Sequence, residues 1–176
     1  MVKQTERTIK VGLRKPVIIA IKTHSDFARV EMHGDWIDLS FCGIHPASKD
    51  SILHGKDYEV HGNEYSFKKG TGCVLNLGVS IALPEPYEAH LLPRSSLFLK
   101  HGILVGNSMG VIDNDFRGDE DIWGLVAYFT RGTTLRLGQR IAQFRVVERM
   151  CYKYEIIFTE KETETVSRGG FGHTGA

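Results

Sequence analysis

The apolar positions of this chain fall in short, separated runs and never settle into one long periodic stretch. Residues 16–22 (PVIIAIK) open on Pro16 and are rich in branched side chains, which predicts a buried strand. Residues 34–40 (GDWIDLS) alternate polar and apolar side chains; Asp35 and Asp38 each suit either a solvated turn or a sheet end that faces a ligand. Residues 48–55 read as a loop and 56–69 as a hairpin or meander. Residues 73–83 (CVLNLGVSIAL) are strongly strand-like and run into a rigid turn at 83–87 (LPEPY). Residues 122–130 and 133–137 predict two strands joined at Arg131-Gly132, and 141–147 predict another. Only 95–101 suits a helix, and a modest one; no long segment keeps the 3.6-residue period. Many short strands punctuated by Gly and Pro predict an all-β sandwich or barrel of the jelly-roll kind, with no internal repeat.

Composition narrows this picture without redirecting it. A chain of 176 residues can bury a sizeable core as one domain. A net charge of +1 gives no global field to recruit nucleic acid or an anionic membrane, so a polyanionic ligand must be held by local donors. Cys42, Cys73 and Cys151 are odd in number and far apart, which argues for reduced thiols and against a disulfide scaffold or zinc cluster. No apolar run approaches the roughly 20 residues that span a bilayer. Residues 1–10 are polar and carry no hydrophobic segment of a secretory signal. The expectation is a soluble, cytoplasmic protein with neither a membrane nor a nucleic-acid partner.

Three stretches carry candidate chemistry. In residues 110–118 (GVIDNDFRG), Val111 and Ile112 predict an extended arm, Asn114-Asp115 a tight turn, and Phe116 the start of a second arm. Such a hairpin offers peptide groups to a flat polar ring, the face of Phe116 to a sugar, and the carboxylate of Asp113 to a water. A surface hairpin with a solvated Asp is the plainer alternative. Arg94-Ser95-Ser96 offers a guanidinium fork and two hydroxyls where a helix begins and free amides point at anions, although the serines also suit an N-cap and Arg94 a salt bridge. Residues 167–175 (SRGGFGHTG) fit either a disordered terminus or an arm that orders over a ligand. In the second case glycines such as Gly172 allow close approach, Arg168 and Thr174 suit phosphate oxygens, and Phe171 suits a base.

Taken in order, these stretches resemble the five motifs of the trimeric dUTP diphosphatase (dUTPase) family over nearly the whole chain. They are Trp36-Ile37-Asp38-Leu39, then Pro93-Arg94-Ser95-Ser96 running on to Lys100-His101-Gly102-Ile103, then residues 110–118, then Gly138-Gln139-Arg140-Ile141-Ala142-Gln143, and finally residues 168–175. The short final motif, with residues 34–39 and 118–123, resembles members from some Gram-positive bacteria and their phages. The resemblance implies a homotrimer of jelly rolls (residues 1–158) whose flexible C-terminal arms (159–176) close over active sites shared between subunits. The implied reaction is hydrolysis of dUTP to dUMP and pyrophosphate, assisted by Mg2+. Asp113 would be the general base, and Asp38 would hold waters around the metal. Arg94, Ser95, Ser96 and Gln143 would meet or lie near the phosphates. Asn107 and the backbone of Gly110, Val111 and Ile112 would read uracil, and Phe116 would pack under the deoxyribose and exclude a 2'-hydroxyl. Phe171 would stack on the base, while Arg168 and Thr174 would reach the outer phosphates. Cytosine would swap an acceptor for a donor against the same peptide groups, and an unpaired buried polar group costs about 1–3 kcal/mol.

The chain departs from the family pattern in places. Phe116 stands where Tyr is common, and Asp35-Trp36 replace a common Ala-Gly. Residues 48–72 look longer than in compact members; a surface excursion is the expectation, with docking of a protein partner as the alternative. Two other functions compete. The related dCTP deaminases share a Pro/Gly-Arg-Ser-Ser motif, but their hairpin carries Ile-Asp-Pro-Gly-Trp where this chain has Asn114-Asp115-Phe116; zinc-dependent deamination lacks its ligands here altogether. A non-enzymatic, nucleotide-responsive regulator on the same scaffold would not need the full set of site residues that this chain retains.

Overall fold

In the computed structural model, residues 17–46 and 57–155 are described. Along them run β1 (Ala20–Thr23), β2 (Val30–His33), β3 (Trp36–Ser40), β4 (Tyr58–His61), β5 (Glu64–Phe67), β6 (Gly72–Asn76), β7 (Val79–Ala82) and β8 (Tyr87–Pro93). After these come α1 (Leu97–His101), β9 (Ile103–Val105), β10 (Gly110–Ile112), β11 (Gly124–Phe129), β12 (Thr133–Arg136) and β13 (Arg140–Glu148), closed by a 3-10 turn at Met150–Tyr152. The strands form a five-stranded sheet in the order β10-β8-β13-β3-β2, two three-stranded sheets, β6-β11-β9 and β12-β5-β4, and the pair β1-β7. All of the pairings are antiparallel. This is the all-β jelly-roll architecture the strand pattern predicts, with α1 as its short helix. No helix among the described residues is long and apolar enough to cross a membrane.

The alternation of side chains explains how the sheets close on one core. In β11, Leu125, Ala127 and Phe129 point inward and are buried, while Tyr128 faces out. Phe129 stacks on Phe67 with ring centroids 4.1 Å apart, and Phe41 sets its edge against Tyr65 at 5.2 Å. Those contacts fasten the β12-β5-β4 sheet to the main body. Residues 57–72, the described part of the predicted excursion, form the hairpin expected over 56–69 but are not the surface excursion expected, since Phe67 is buried and Tyr58 and Tyr65 pack on the core.

Three elements differ from expectation. The buried strand expected over 16–22 is β1 at Ala20–Thr23, paired only with β7 among the described residues, and none of its residues is buried. The run 73–83 is not one strand but β6 and β7, parted at Gly78, whose φ of 67° is left-handed. The Asn76 side chain accepts the Gly78 amide at 2.6 Å, and a Cβ at 78 would lie 2.6 Å from Cys42 Sγ, so the chain must bend there and only Gly fits. β6 then joins β11 while β7 joins β1, so one hydrophobic run serves two sheets. Phe116 opens no second arm: residues 113–123 hold no strand, and β10 pairs with β8 instead. The expectations for residues 1–10, the loop 48–55 and the tail 159–176 lie outside the described residues.

Candidate functional site

β10 is the edge of its sheet. It pairs with β8 on one side, Gly110 opposite Leu91 and Ile112 opposite Ala89, and has no strand on the other among the described residues. The peptide groups on its outer side are left free to pair with a ligand. Gly110 permits this close pairing, since a Cβ there would come 3.2 Å from Leu91 Cβ. Just beyond β10 the chain turns on Asp113, whose Oδ1 accepts the amides of Asp115 at 3.0 Å and Phe116 at 3.3 Å. Phe116 leaves its ring 43% exposed beside this turn. Asn107, Gly110, Val111, Ile112, Asp113 and Phe116, all expected site residues, line one cleft of about 440 Å³. His45, which no motif marks, also lines it, its Nε2 held 2.9 Å from the Ile122 carbonyl oxygen.

The second group of expected residues gathers at the far end of β8. Pro93 ends the strand and Arg94 leads into α1, with the Leu97 amide donating to the Arg94 carbonyl at 2.9 Å. Ser96 occupies the N-cap position, yet its hydroxyl makes no cap bond. Asp38 is 3% exposed and sits between two cations, its Oδ2 3.1 Å from Arg94 Nε and 3.3 Å from Arg140 Nη1. These are ion pairs by distance, though no hydrogen bond points at that oxygen. Arg140 is held further by Glu31 Oε2 at 2.9 Å and by His33 Nε2 at 2.7 Å. An arginine has no acceptor, so His33 must present a lone pair there.

Arg94, Ser96, Lys100, His101, Gln139 and Arg140 line a cleft of about 260 Å³. Burial first, then the charges of Arg131 and Lys100, hold His101 below the usual histidine range. Neutral at pH 7, it faces the Gln139 amide nitrogen at 2.8 Å as an acceptor. Ser95 is exposed and not in the lining of this cleft, and Gln143 spends its amide on the Pro93 carbonyl oxygen at 3.1 Å. Lys100, Gln139 and Arg140 lie inside motifs already marked by the sequence, but only their place in the cleft shows that they belong to the site. Arg168, Phe171, Gly172 and Thr174 lie outside the described residues.

Within one chain the two clefts share no lining residue. Asp113 follows Ile112, which is opposite Ala89, whereas Arg94 lies past the other end of β8, a separation of roughly 16 Å along an extended strand. Arg94 moreover reaches toward Asp38 on β3, on the side of β8 away from β10. Asn114, read from sequence as part of a tight turn, is 1% exposed and bonded to Glu85 and Arg149.

Residues 60–175 match the family model for dUTPase. The SPbeta prophage-derived deoxyuridine 5'-triphosphate nucleotidohydrolase of Bacillus subtilis is 38% identical over 142 residues, covering 81% of this chain and 84% of its own. The deoxyuridine 5'-triphosphate nucleotidohydrolase of Rickettsia prowazekii is 42% identical, over 77% of this chain and 91% of its own. Among solved structures, a dUTPase of Staphylococcus bacteriophage 80alpha with dUpNHpp superposes with a TM-score of 0.62 at 18% identity, covering 90% of this chain and 98% of that one. The dUTPase of Streptococcus mutans gives 0.56 at 18% identity, over 79% and 98% of the two chains. With family model and relatives in agreement over most of its length, the chain belongs to the dUTPase family.

Proposed function

We propose that this chain hydrolyses dUTP to dUMP and pyrophosphate at sites each built from more than one subunit of a homotrimer. The observation that carries the reading is the split between the clefts: a groove with an open strand edge, a ring and a carboxylate at one end of β8, a cationic cleft at the other. A base and the phosphate it serves must lie within hydrogen-bond reach of one attacking water. Asp113 of one subunit therefore meets Arg94 and Arg140 of another. Exposed apolar side chains support a subunit contact: Phe98 and Leu99 on α1, and the cross-strand neighbours Leu104 and Tyr128.

In this mechanism the outer edge of β10 pairs with uracil, and Phe116 lies against the sugar. Asp113 Oδ1 is taken up by the turn, so Oδ2 accepts the proton of the attacking water. The water oxygen bonds to the α-phosphorus as the bond from that phosphorus to the bridging oxygen breaks, and pyrophosphate leaves. Arg94, Arg140 and Lys100 neutralise the phosphate oxygens, with Ser95 and Ser96 as hydroxyl donors and Arg168, Phe171, Gly172 and Thr174 completing the site from the tail.

Among the described residues no group of three His, Cys, Asp or Glu side chains could hold a metal ion, and Asp38 is engaged by two arginines. Asp38 is the residue that would hold, through water, a Mg2+ brought in with the triphosphate. When bound, Mg2+ supplies charge neutralisation at the phosphates. The free thiols Cys42, Cys73 and Cys151 suit a cytoplasmic setting.

The test is pyrophosphate release from dUTP, dCTP, dTTP and UTP, each with Mg2+ and with chelator. Turnover confined to dUTP and lost with chelator is expected. Comparable rates on dCTP or UTP would remove the assigned roles of β10 and Phe116.

A further inference from the structure

The turn that carries Asp113 is exposed on both sides of a single buried residue. Asp113, Asp115, Phe116 and Arg117 face solvent, while Asn114 is 1% exposed. Asn114 Nδ2 donates to Glu85 Oε1 at 2.5 Å, and its Oδ1 accepts from Arg149 Nη1 at 2.7 Å. The other hydrogen bonds of residues 114–117 stay inside the turn: the Asp115 and Phe116 amides on Asp113, and the Arg117 amide on Asp115. Among the described residues, only Asn114 bonds this turn to the rest of the protein.

The residues that hold Asn114 are themselves fixed. Glu85 belongs to the turn between β7 and β8, lies 3.6 Å from Arg149, and accepts the Tyr152 hydroxyl. Arg149 donates its own amide to the Pro86 carbonyl at 2.8 Å and places its guanidinium over the Tyr152 ring. The Asn114 amide carries both groups the clamp needs, an N–H donor for the carboxylate and a carbonyl acceptor for the guanidinium.

Resting on the dUTP-hydrolysis reading above, we infer that Asn114, clamped between Glu85 and Arg149, is the positioning residue that aims the Asp113 carboxylate at the attacking water. It touches no reacting atom. It acts by removing the freedom of the turn, so that a base on an otherwise exposed loop meets its water in one geometry; a misplacement of about 1 Å typically costs on the order of a hundredfold in rate.

The experiment measures kcat and KM for dUTP, affinity for an imido-bridged dUTP analogue and the melting temperature of the intact protein, for Asn114→Ala, Asn114→Asp and the pair Asn114→Asp with Glu85→Gln. Asn114→Ala should lose on the order of a hundredfold in kcat while analogue affinity stays within about threefold. Asn114→Asp sets two carboxylates against each other and should be at least as impaired. The pair exchanges amide and carboxylate, restores both hydrogen bonds, and should recover kcat to within about tenfold of the parent. Parental kcat in Asn114→Ala, or a loss that follows analogue binding or melting temperature, would overturn the inference. Should Asn114→Ala fail to fold, the pair decides: no gain over Asn114→Asp overturns it as well. Asp113→Asn, run alongside, separates the two claims. If it stays active the base assignment fails; if it is inactive while Asn114→Ala is normal, only the positioning role fails.

Discussion

At the scale of single residues, the proposed mechanism has the Asp113 carboxylate take a proton, while Asp38 lies between two arginines. Asp113→Asn keeps the side chain's shape and can still accept the two turn amides through its carbonyl oxygen, but it removes the basic oxygen. We expect kcat to fall by about 10²–10⁴-fold with analogue binding and subunit assembly unchanged, read by pyrophosphate release and by sedimentation. Glu85 behaves differently because it is structural. The Tyr152 hydroxyl first, then the Asn114 amide, with Arg149 and Arg117 nearby, hold its carboxyl below the ordinary carboxylate value. A folded-state pKa below the unfolded one stabilises the fold above the unfolded value and ceases to do so as pH falls through the folded one. The gap in denaturant midpoint between the parent and Glu85→Gln should therefore be open at neutral pH. It should close as pH drops below the ordinary value of 4.5; a gap that widened in acid would contradict the assignment.

At the scale of elements, what was legible in the sequence was what depends on local pattern. The strand runs at 122–130 and 141–147, the prolines between β7 and β8 and the modest helix at 95–101 rest on signals within a few residues, and the elements stand close to where those signals put them. Partner choice is not local. Nothing in Val111-Ile112 says that β10 pairs with β8, twenty residues back, instead of with a strand after Phe116. Nor does a polar residue in a turn announce that it is buried, as Asn114 is, since its partners Glu85 and Arg149 are distant in sequence. The same holds for Arg140, whose place beside Asp38 follows from strand register.

Gly78 is the clearest lesson, because a single glycine inside an apolar run reads as tolerated until its φ of 67° and its closeness to Cys42 are known. Gly78→Ala should destabilise the fold by about 1–3 kcal/mol for the left-handed backbone, with the clash against Cys42 in addition. Denaturant midpoints compared at one protein concentration would show it. An alanine variant as stable as the parent would mean the bend between β6 and β7 needs no glycine.

At the scale of the whole molecule, the decisive question is whether the two clefts work within a chain or between chains. Asp113 and Arg94 stand at opposite ends of β8, and a folded sheet does not shorten to bring them together. If each site takes Asp113 from one subunit and Arg94 from its neighbour, two inactive proteins can repair each other. Asp113→Asn trimers lack the proposed base at every site and Arg94→Gln trimers lack the Arg94 guanidinium at every phosphate cleft, so each alone should be strongly impaired. In trimers assembled from an equal mixture, a site is whole when an Arg94→Gln subunit supplies Asp113 and an Asp113→Asn subunit supplies Arg94. Random assembly around a closed ring makes about a quarter of the sites whole. Co-unfolding and refolding the mixture should therefore restore about a quarter of parental activity, rising from near nothing as subunits exchange. Sites confined to one chain would stay silent at every mixing ratio, because no single chain in the mixture carries both groups. Two variants that each fold and each bind the analogue, yet never complement, would show that the distance along β8 is bridged within the subunit, and the shared site would have to be abandoned.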